Sequence, residues 1–323
     1  MRSGIQSRGI TGEGNGMASA IGVRIYRISV HGRRATGDVD LHDGELELPA
    51  TDFITNFVAT HNTPVESEEL ERTFYFEEKE APSTGSSRGY IHYGTFGYES
   101  NIIDPKTKEK KYRRMTTDVE EIPLYYEFWC PSSSKTAFAA FQSFGGKSCI
   151  GLVMKKMRDR FEVANPGYLL VFQKVTASNA RGTAYFSAPV KRLHLLRRKA
   201  PNDLASRYFE GLTPDVVDYE VTISARRKMS LGALNDLLTS FDELDQGVIL
   251  EDGVEFKEAY AEVRFGKKLR RVGVLGENVD AGVIDLTETV LRAPDGHPHF
   301  ESMRKEVNEL LEDFYHVMRG HSR

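Results

Sequence analysis

The side chains best suited to binding chemistry in this chain are cations that gather in its middle. Residues 151–228 contain 15 Lys or Arg and 7 Asp or Glu, whereas residues 1–150 contain 17 and 21, and residues 229–323 contain 11 and 19. Because Lys and Arg hold phosphate groups, a basic segment between two acidic ones predicts a surface that contacts nucleic acid, mainly through its phosphates. The candidate contact residues are Lys155, Lys156, Arg158, Arg160, Lys191, Arg192, Arg197, Arg198, Lys199, Arg226, Arg227 and Lys228, with Lys267, Lys268, Arg270 and Arg271 beyond them.

The nucleic-acid hypothesis has one supporting feature and one rival. Aromatic residues lie among the cations, at Tyr168, Tyr185, Tyr208 and Phe209, and aromatic rings can stack on unpaired bases. The rival interpretation is that the basic face pairs with the acidic flanks, or docks an acidic partner or a second copy of the chain. Both interpretations remain open at this point.

A glycine-rich segment resembles part of a phosphate-binding loop. Gly146, Lys147 and Ser148 match the end of that motif, but position 141, where the motif requires its first Gly, is Phe. We therefore predict a tight turn that leads into a helix, whose N-terminal N–H groups offer an alternative anion site. Cys149 at this helix start is expected to be a small buried residue, although a helix N-terminus would lower the pKa of its thiol.

Acidic residues near the N-terminus suggest a second chemistry. Val39 and Leu41 alternate with acids before Asp43-Gly44, which predicts a hairpin with one apolar face and one acidic face. Its polar residues are Asp38, Asp40, His42, Asp43, Glu45 and Glu47. Carboxylates can hold Mg²⁺ or Mn²⁺, so a metal-dependent nuclease is an alternative, although a solvated face is the favoured interpretation.

Other metal and nuclease patterns are incomplete. Asp218 and Glu220 follow Pro214-Asp215, but a nuclease motif of the PD-(D/E)xK type lacks its Lys after Glu220. The histidines at 297, 299, 316 and 321 have no Cys or carboxylate at ligand spacing to complete a tetrahedral site. We therefore assign no catalytic residue, no metal ligand and no cofactor.

The surrounding elements indicate an α+β fold, because strands come in runs and helices are few. The Gly- and Ser-rich residues 1–20 are predicted to be disordered, residues 21–120 to form a β-rich domain with the acidic hairpin, and residues 121–323 to form an α+β domain that carries the basic block. Residues 64–89 are interpreted as a flexible connection, and no internal repeat is found. A 3.6-residue apolar period from Phe300 to Met318 predicts a C-terminal amphipathic helix, which is a possible dimer contact.

Composition favours a cytoplasmic location. No run of 18 apolar residues occurs, so no membrane-spanning helix is expected, and the N-terminus lacks the apolar core of a secretory signal. Two cysteines in 323 residues are typical of a reducing compartment without a disulfide framework.

A resemblance to a known family covers part of the chain. Gly89 to Tyr93, Tyr126 to Trp129, the strand to Phe144 with its glycine turn, and the basic helix follow one another within residues 89–228. This order resembles RexA-like phage-exclusion proteins and prophage-associated proteins. The resemblance implies a two-domain, dimeric, DNA-associated protein that acts in abortive infection. Together these observations favour a non-enzymatic, cytoplasmic nucleic-acid-binding protein of bacterial or prophage origin that acts in phage defence or its regulation.

Overall fold

The structure is a computed structural model that describes residues 20–33, 38–42, 46–80, 86–131, 135–175, 186–197, 218–242, 249–251, 254–265, 268–275 and 283–320. Within these residues it contains 17 strands, four α-helices and one short 3-10 helix at Glu68–Leu70. Most of the strands belong to one large antiparallel sheet, so the predicted α+β class is confirmed. The N-terminal segment that was predicted to be disordered spans residues 1–20. All of it except residue 20 lies outside the described part.

The elements have the following bounds. The helices are α1 Ala50–Thr60, α2 Ile150–Ala164, α3 Leu234–Asp242 and α4 Phe300–Gly320. The strands are β1 Ile21–Gly32, β2 Asp38–Val39, β3 Val65–Ser67, β4 Arg72–Glu78, β5 Ser87–Thr95, β6 Ser100–Ile103, β7 Lys110–Arg114, β8 Glu120–Trp129, β9 Ala137–Phe144, β10 Tyr168–Lys174, β11 Val190–Arg197, β12 Tyr219–Ser224, β13 Ile249–Glu251, β14 Val254–Phe256, β15 Glu258–Phe265, β16 Lys268–Leu275 and β17 Val283–Asp285.

Strand β1 is the centre of the large sheet. The order across the sheet is β12-β11-β15-β16-β17-β1-β9-β8-β5-β4-β3, and β2 and β10 also pair with β1. Strand β9 pairs with residues 21–28 of β1, while β17 and β10 pair with residues 22–24 and 26–32. Because a strand has only two edges, β17 and β10 lie end to end on the edge opposite β9.

Alternation along the strands produces two buried cores, one on each face of the sheet. On β1, Ile21, Val23 and Ile25 point to a core beneath α3 and α4, and we call this side the α4 face. Tyr26 and Ile28 point to a second core beneath α1 and α2, on the side that we call the α2 face. In the described residues the helices cover the α4 face of strands β11, β12, β15, β16 and β17, and leave the α2 face of the same strands open.

Helix α4 forms where the 3.6-residue period predicts a helix. Its buried stripe is Met303, Val307, Leu310, Leu311 and Phe314, all within the core of the same chain. A stripe used internally is not free for a partner, so a homodimer through this stripe remains a prediction without structural support.

Several local predictions are correct, because short apolar patterns determine them. The sequences LYYEFW and AFAAFQSF form the buried strands β8 and β9, and the segment after Gly146 becomes α2. The polar segment from Asp104 to Arg114 lies in a hairpin that is mostly exposed, with Arg114 buried.

Two other predictions are wrong. The predicted flexible connection contains β3 and β4, because Phe74 and Phe76 alternate with polar residues and enter the core. The acidic hairpin is also absent from the described residues: Asp38 and Val39 pair with β1, and residues 46–48 are bends because Leu46 turns into the core. Residues 43–45 at its predicted turn lie outside the described part.

The predicted boundary at residue 120 crosses a continuous sheet. Strand β5 pairs with β8, and β8 with β9, so strands from both sides of the boundary bond to one another. Pairing alone does not define a folding unit, so the division at residue 120 remains a prediction.

Candidate nucleic-acid interface

The predicted basic residues fall on three separate elements. Lys155, Lys156, Arg158 and Arg160 lie on α2, where Lys155 forms a 3.3 Å ion pair with Asp159. Lys191, Arg192 and Arg197 lie on β11, and Arg226, Arg227 and Lys228 lie just after β12 at the edge of the sheet. Arg198, Lys199 and Lys267 lie outside the described residues, as do Tyr185, Tyr208 and Phe209.

Some of these cations are already used inside the chain. Arg192 forms a 3.1 Å ion pair with Glu262, and Lys191 Nζ donates a hydrogen bond to the Met229 carbonyl. Arg270 is fully buried and pairs with Glu306 of α4 at 2.6 Å. The internal-pairing interpretation therefore accounts for part of the basic set.

Four arginines nevertheless line up along the α2 face, and we call them the arginine track: Arg158, Arg24, Arg271 and Arg192. Arg158 of α2 lies over the Phe172 ring, with its guanidinium carbon 5.7 Å from the ring centre. Burial raises the pKa of the Tyr26 hydroxyl, and the positive charges of Arg24 and Arg158 oppose that rise. Arg158 and Arg24 therefore flank the same tyrosine.

Two clefts connect the rest of the track. The first has a volume of about 330 Å³ and is lined by Arg24, Arg271, Tyr260, Ser143 and Ser148. The second, also about 330 Å³, is lined by Arg271 and Arg192 together with Glu262 and Asp285. Arg271 and Asp285 line both, so the two clefts adjoin, and Arg24 of β1, Arg271 of β16 and Arg192 of β11 follow one another along them.

Strand alternation positions these side chains. Arg24 stands between Val23 and Ile25, which enter the core, so its side chain points to the α2 face. Arg271 alternates in the same way with Val272. Arg24 Nε is shielded from solvent and has no hydrogen-bond partner among the described residues. Arg24 lines the first cleft.

Gly145 and Gly146 place the start of α2 at the first cleft. Both have positive φ, at 54° and 80°, which glycine adopts without strain, and they make the predicted tight turn. Gly146 and Ser148 line the cleft. Cys149 is buried beside them, and burial raises the pKa of its thiol to about 12, which overrides the lowering that a helix N-terminus would cause.

A hydrogen-bonded cluster lies beside the arginine track on the same face of the sheet. His194 Nδ1 lies 2.5 Å from Glu220 Oε1, and His194 Nε2 lies 3.4 Å from Glu262 Oε1. The Tyr260 ring stacks on His194 at 4.3 Å, and Tyr260 donates to Glu220 at 3.0 Å. The guanidinium of Arg271 lies 4.9 Å from the centre of the same tyrosine ring. Glu262 and Tyr260 therefore hold Arg192 and Arg271 in place.

The cluster shifts the ionisation of its members. Burial, together with the hydrogen bond to Glu220, raises the pKa of Tyr260 to about 12, against the opposing charge of Arg271. Burial also raises the pKa of Glu220, but the hydrogen bonds from His194 and Tyr260 outweigh it, and the net pKa lies below its ordinary value. At neutral pH the cluster thus contains an ionised Glu220 beside a neutral Tyr260.

The same four-residue arrangement recurs in the other half of the sheet. His92 Nδ1 lies 2.8 Å from Glu121 and Nε2 lies 2.9 Å from Glu77, while the Tyr75 ring stacks on His92 at 4.5 Å. Tyr75 donates to Glu121, just as Tyr260 donates to Glu220. This copy lies on the α4 face, because Ile91 and Phe74 beside it point to the α2 core.

The remaining candidates do not form sites in the described residues. No group of three or more His, Cys, Asp or Glu side chains has metal-binding geometry there. Asp38 is tied to Arg27 and lies 2.7 Å from His31. Both cysteines are free and buried. His297 packs against Phe144, His316 against Tyr315, and His321 lies outside the described part.

Sequence reasoning missed Arg24, His194, Tyr260 and Glu262. Arg24 is one of two arginines in the mostly apolar strand β1, and only its alternation with Val23 and Ile25 indicated an exposed side. The others come from different strands, and their proximity depends on pairing β11 with both β12 and β15.

Comparison with known proteins adds no assignment. No protein-family model matches the chain, and no curated protein matches it significantly. None of the helices in the described residues is long and apolar enough to span a membrane.

Proposed function

We propose that this protein binds nucleic acid through phosphate contacts along the arginine track. The observation that carries the proposal is the convergence of Arg24, Arg271 and Arg192, from three different strands, on two adjoining clefts of one sheet face. Arg158 of α2 lies outside the clefts and extends this set of cations past Tyr26 and Phe172. Arg guanidinium groups suit phosphate because they offer several donors in a planar fork.

Phosphates, rather than bases, are the groups that this surface fits. The aromatic rings of the track are already covered, Phe172 by Arg158 and Tyr260 by His194 and Arg271. Because these rings already have contacts inside the chain, we expect stacking to contribute little and binding to depend weakly on sequence.

The carboxylates beside the track limit its strength. Glu262 neutralises part of the charge of Arg192, so fewer counterions are exchanged than four free arginines would exchange. We expect the logarithm of affinity to fall with the logarithm of salt concentration with a slope of about −2 to −3, which corresponds to three or four phosphate contacts on a single strand. We also propose a role in phage defence or its regulation, which rests on the partial sequence resemblance, and a cytoplasmic setting, which rests on composition.

The test is the binding of fluorescently labelled DNA and RNA oligonucleotides across a salt series. Arg271→Gln removes the cation shared by both clefts and should weaken binding and flatten the salt slope by about 0.7. Lys305→Gln is the matched control, because Lys305 is exposed on α4 at the opposite face. Equal effects of the two substitutions, or no binding by the unchanged protein at low salt, would remove the proposal.

A further inference from the structure

The hairpin of β6 and β7 is exposed along most of its length. It forms a two-stranded sheet of its own and pairs with no strand of the large sheet. Ile102 and Tyr112 face each other across its strands, and their side chains are 55% and 50% exposed. Large apolar side chains this exposed indicate a contact surface.

The hairpin also carries a strong positive charge. Residues 100–114 contain six Lys or Arg and two Asp or Glu. Lys111 pairs with Asp104 at 2.9 Å and Arg113 with Glu99 at 2.7 Å, both near the strands. Lys106 and Lys108 at the tip are exposed and form no ion pair with a described residue. The tip therefore presents free cations.

The tip is held in one shape. Asp104 Oδ1 accepts hydrogen bonds from the N–H groups of Lys106 and Thr107, at 2.9 and 3.0 Å. The Asp104 carbonyl accepts a third from Lys108 N–H, and Lys108 takes a left-handed φ of 59°. A shaped tip loses less conformational entropy on binding than a flexible loop does.

The base of the hairpin is connected to the first cleft. Arg114 is buried at the base of the hairpin, lies over the Tyr98 ring and forms a 3.2 Å ion pair with Glu120. Glu120 also pairs with Lys147. In sequence, Lys147 lies between Gly146 and Ser148, which both line the first cleft. One carboxylate thus joins the hairpin base to the rim of the arginine track.

We propose that the β6–β7 hairpin is an arm that enters a groove of a nucleic-acid duplex. The inference rests on the proposed function and specifies its substrate as double-stranded. A two-stranded β-ribbon fits the major groove of B-DNA. The tip cations then contact the phosphates that border the groove, and the Ile102–Tyr112 pair contacts base edges, including thymine methyl groups.

The experiment compares a duplex with its separated strand, both fluorescently labelled, in the full-length protein. The arm variant is Lys106→Ala with Lys108→Ala, and the matched control is Lys135→Ala with Lys305→Ala, which removes two exposed lysines elsewhere. We expect the unchanged protein to prefer the duplex. The arm variant should lose that preference and flatten the duplex salt slope by about two, while the control retains both.

A second substitution separates apolar contact from charge. Ile102→Ser should weaken duplex binding without changing the salt slope, because it removes no cation. Circular dichroism shows whether each variant keeps its fold.

The outcomes distinguish the arm from the track. Duplex preference that survives in the arm variant, while Arg271→Gln still weakens binding, overturns the arm and leaves the proposed function standing. If the arm variant loses affinity for the duplex and for the single strand to the same extent, the assignment of a double-stranded substrate is overturned. Tighter binding of poly-L-glutamate than of the duplex, at equal charge concentration, identifies an acidic protein as the partner and overturns the arm as well. Absence of all nucleic-acid binding removes the function and the arm together.

Discussion

At the scale of single residues, two histidines are enclosed in the same way. Each lies between two glutamates and stacks on a tyrosine from the neighbouring strand, and this tyrosine donates to one of the same glutamates. The order along the chain differs, because Tyr75 and Glu77 precede His92, whereas Tyr260 and Glu262 follow His194. A search for tandem repeats cannot detect such a permuted pattern.

Removing one carboxylate from this arrangement should produce a pH-dependent loss of stability. Glu220 accepts hydrogen bonds when ionised, so its pKa in the folded chain lies below its ordinary value of 4.5. Its stabilising contribution is present above pH 4.5 and is lost as pH falls through the lowered pKa. Glu220→Gln should therefore cost about 1 kcal/mol at pH 7, a small value because the carboxylate is partly exposed, and the difference should shrink below pH 4.5.

Urea unfolding at pH 7 and pH 4 measures this difference. Glu288→Gln serves as the control, since Glu288 is exposed on the same side of the chain. A loss for Glu220→Gln that stays constant with pH would contradict the ionised hydrogen-bonded role.

At the scale of elements, local patterns explain what the sequence predicted and what it did not. Strands β8 and β9 and helix α4 were predictable because each carries its own apolar period. Strand β4 was missed because it lies in an acidic segment that leads into Pro-, Ser- and Gly-rich residues, although Phe74 and Phe76 supply the core. The clefts were not predictable, because they depend on which strands pair with β1.

Replacing glycine with alanine is expected to change the free energy of unfolding in opposite directions at two positions, because their surroundings differ. A Cβ on Gly89 of β5 would lie 2.0 Å from the Glu77 carbonyl oxygen, so Gly89→Ala must push β4 and β5 apart. We expect it to cost about 2 kcal/mol or more. Gly151, in the first turn of α2, has open space around it, and Gly151→Ala should stabilise the chain by about 0.5 kcal/mol through helix propensity.

The midpoints of urea unfolding for the two alanine variants test this pair. Opposite shifts are the expected result. A neutral Gly89→Ala would mean that the two strands do not approach as closely as the structure shows.

At the scale of the whole molecule, the two ends of the sheet are covered on opposite sides. Helices α1 and α2 cover the α2 face near β1 and β4, and α3 and α4 cover the α4 face of the strands beyond β17. Each histidine cluster lies on the face opposite the helices of its own half. Helix α4 also reaches back across β8 and β9, where Tyr315 contacts Trp129 and Phe138.

This arrangement predicts that the chain unfolds in one transition. The core of the α4 face combines Ile21 and Val23 with Tyr125, Leu310 and Phe314, so residues on both sides of position 120 share it. Trp129 is the single tryptophan and contacts α4, so its fluorescence reports α4 docking, while circular dichroism reports the whole sheet. Leu310→Ala should lower both midpoints together and cost about 2 to 5 kcal/mol, because it leaves a cavity in the shared core.

Val163→Ala is the control for that substitution, because Val163 is 76% exposed on α2 and its change should leave both midpoints in place. Two separate transitions in the unchanged protein, with Leu310→Ala affecting only one of them, would support independent domains divided near residue 120. Coincident transitions would mean that the arginine track and the hairpin are held by one cooperative unit. A ligand bound at either surface would then stabilise the entire chain by mass action, and nucleic acid should raise both midpoints equally.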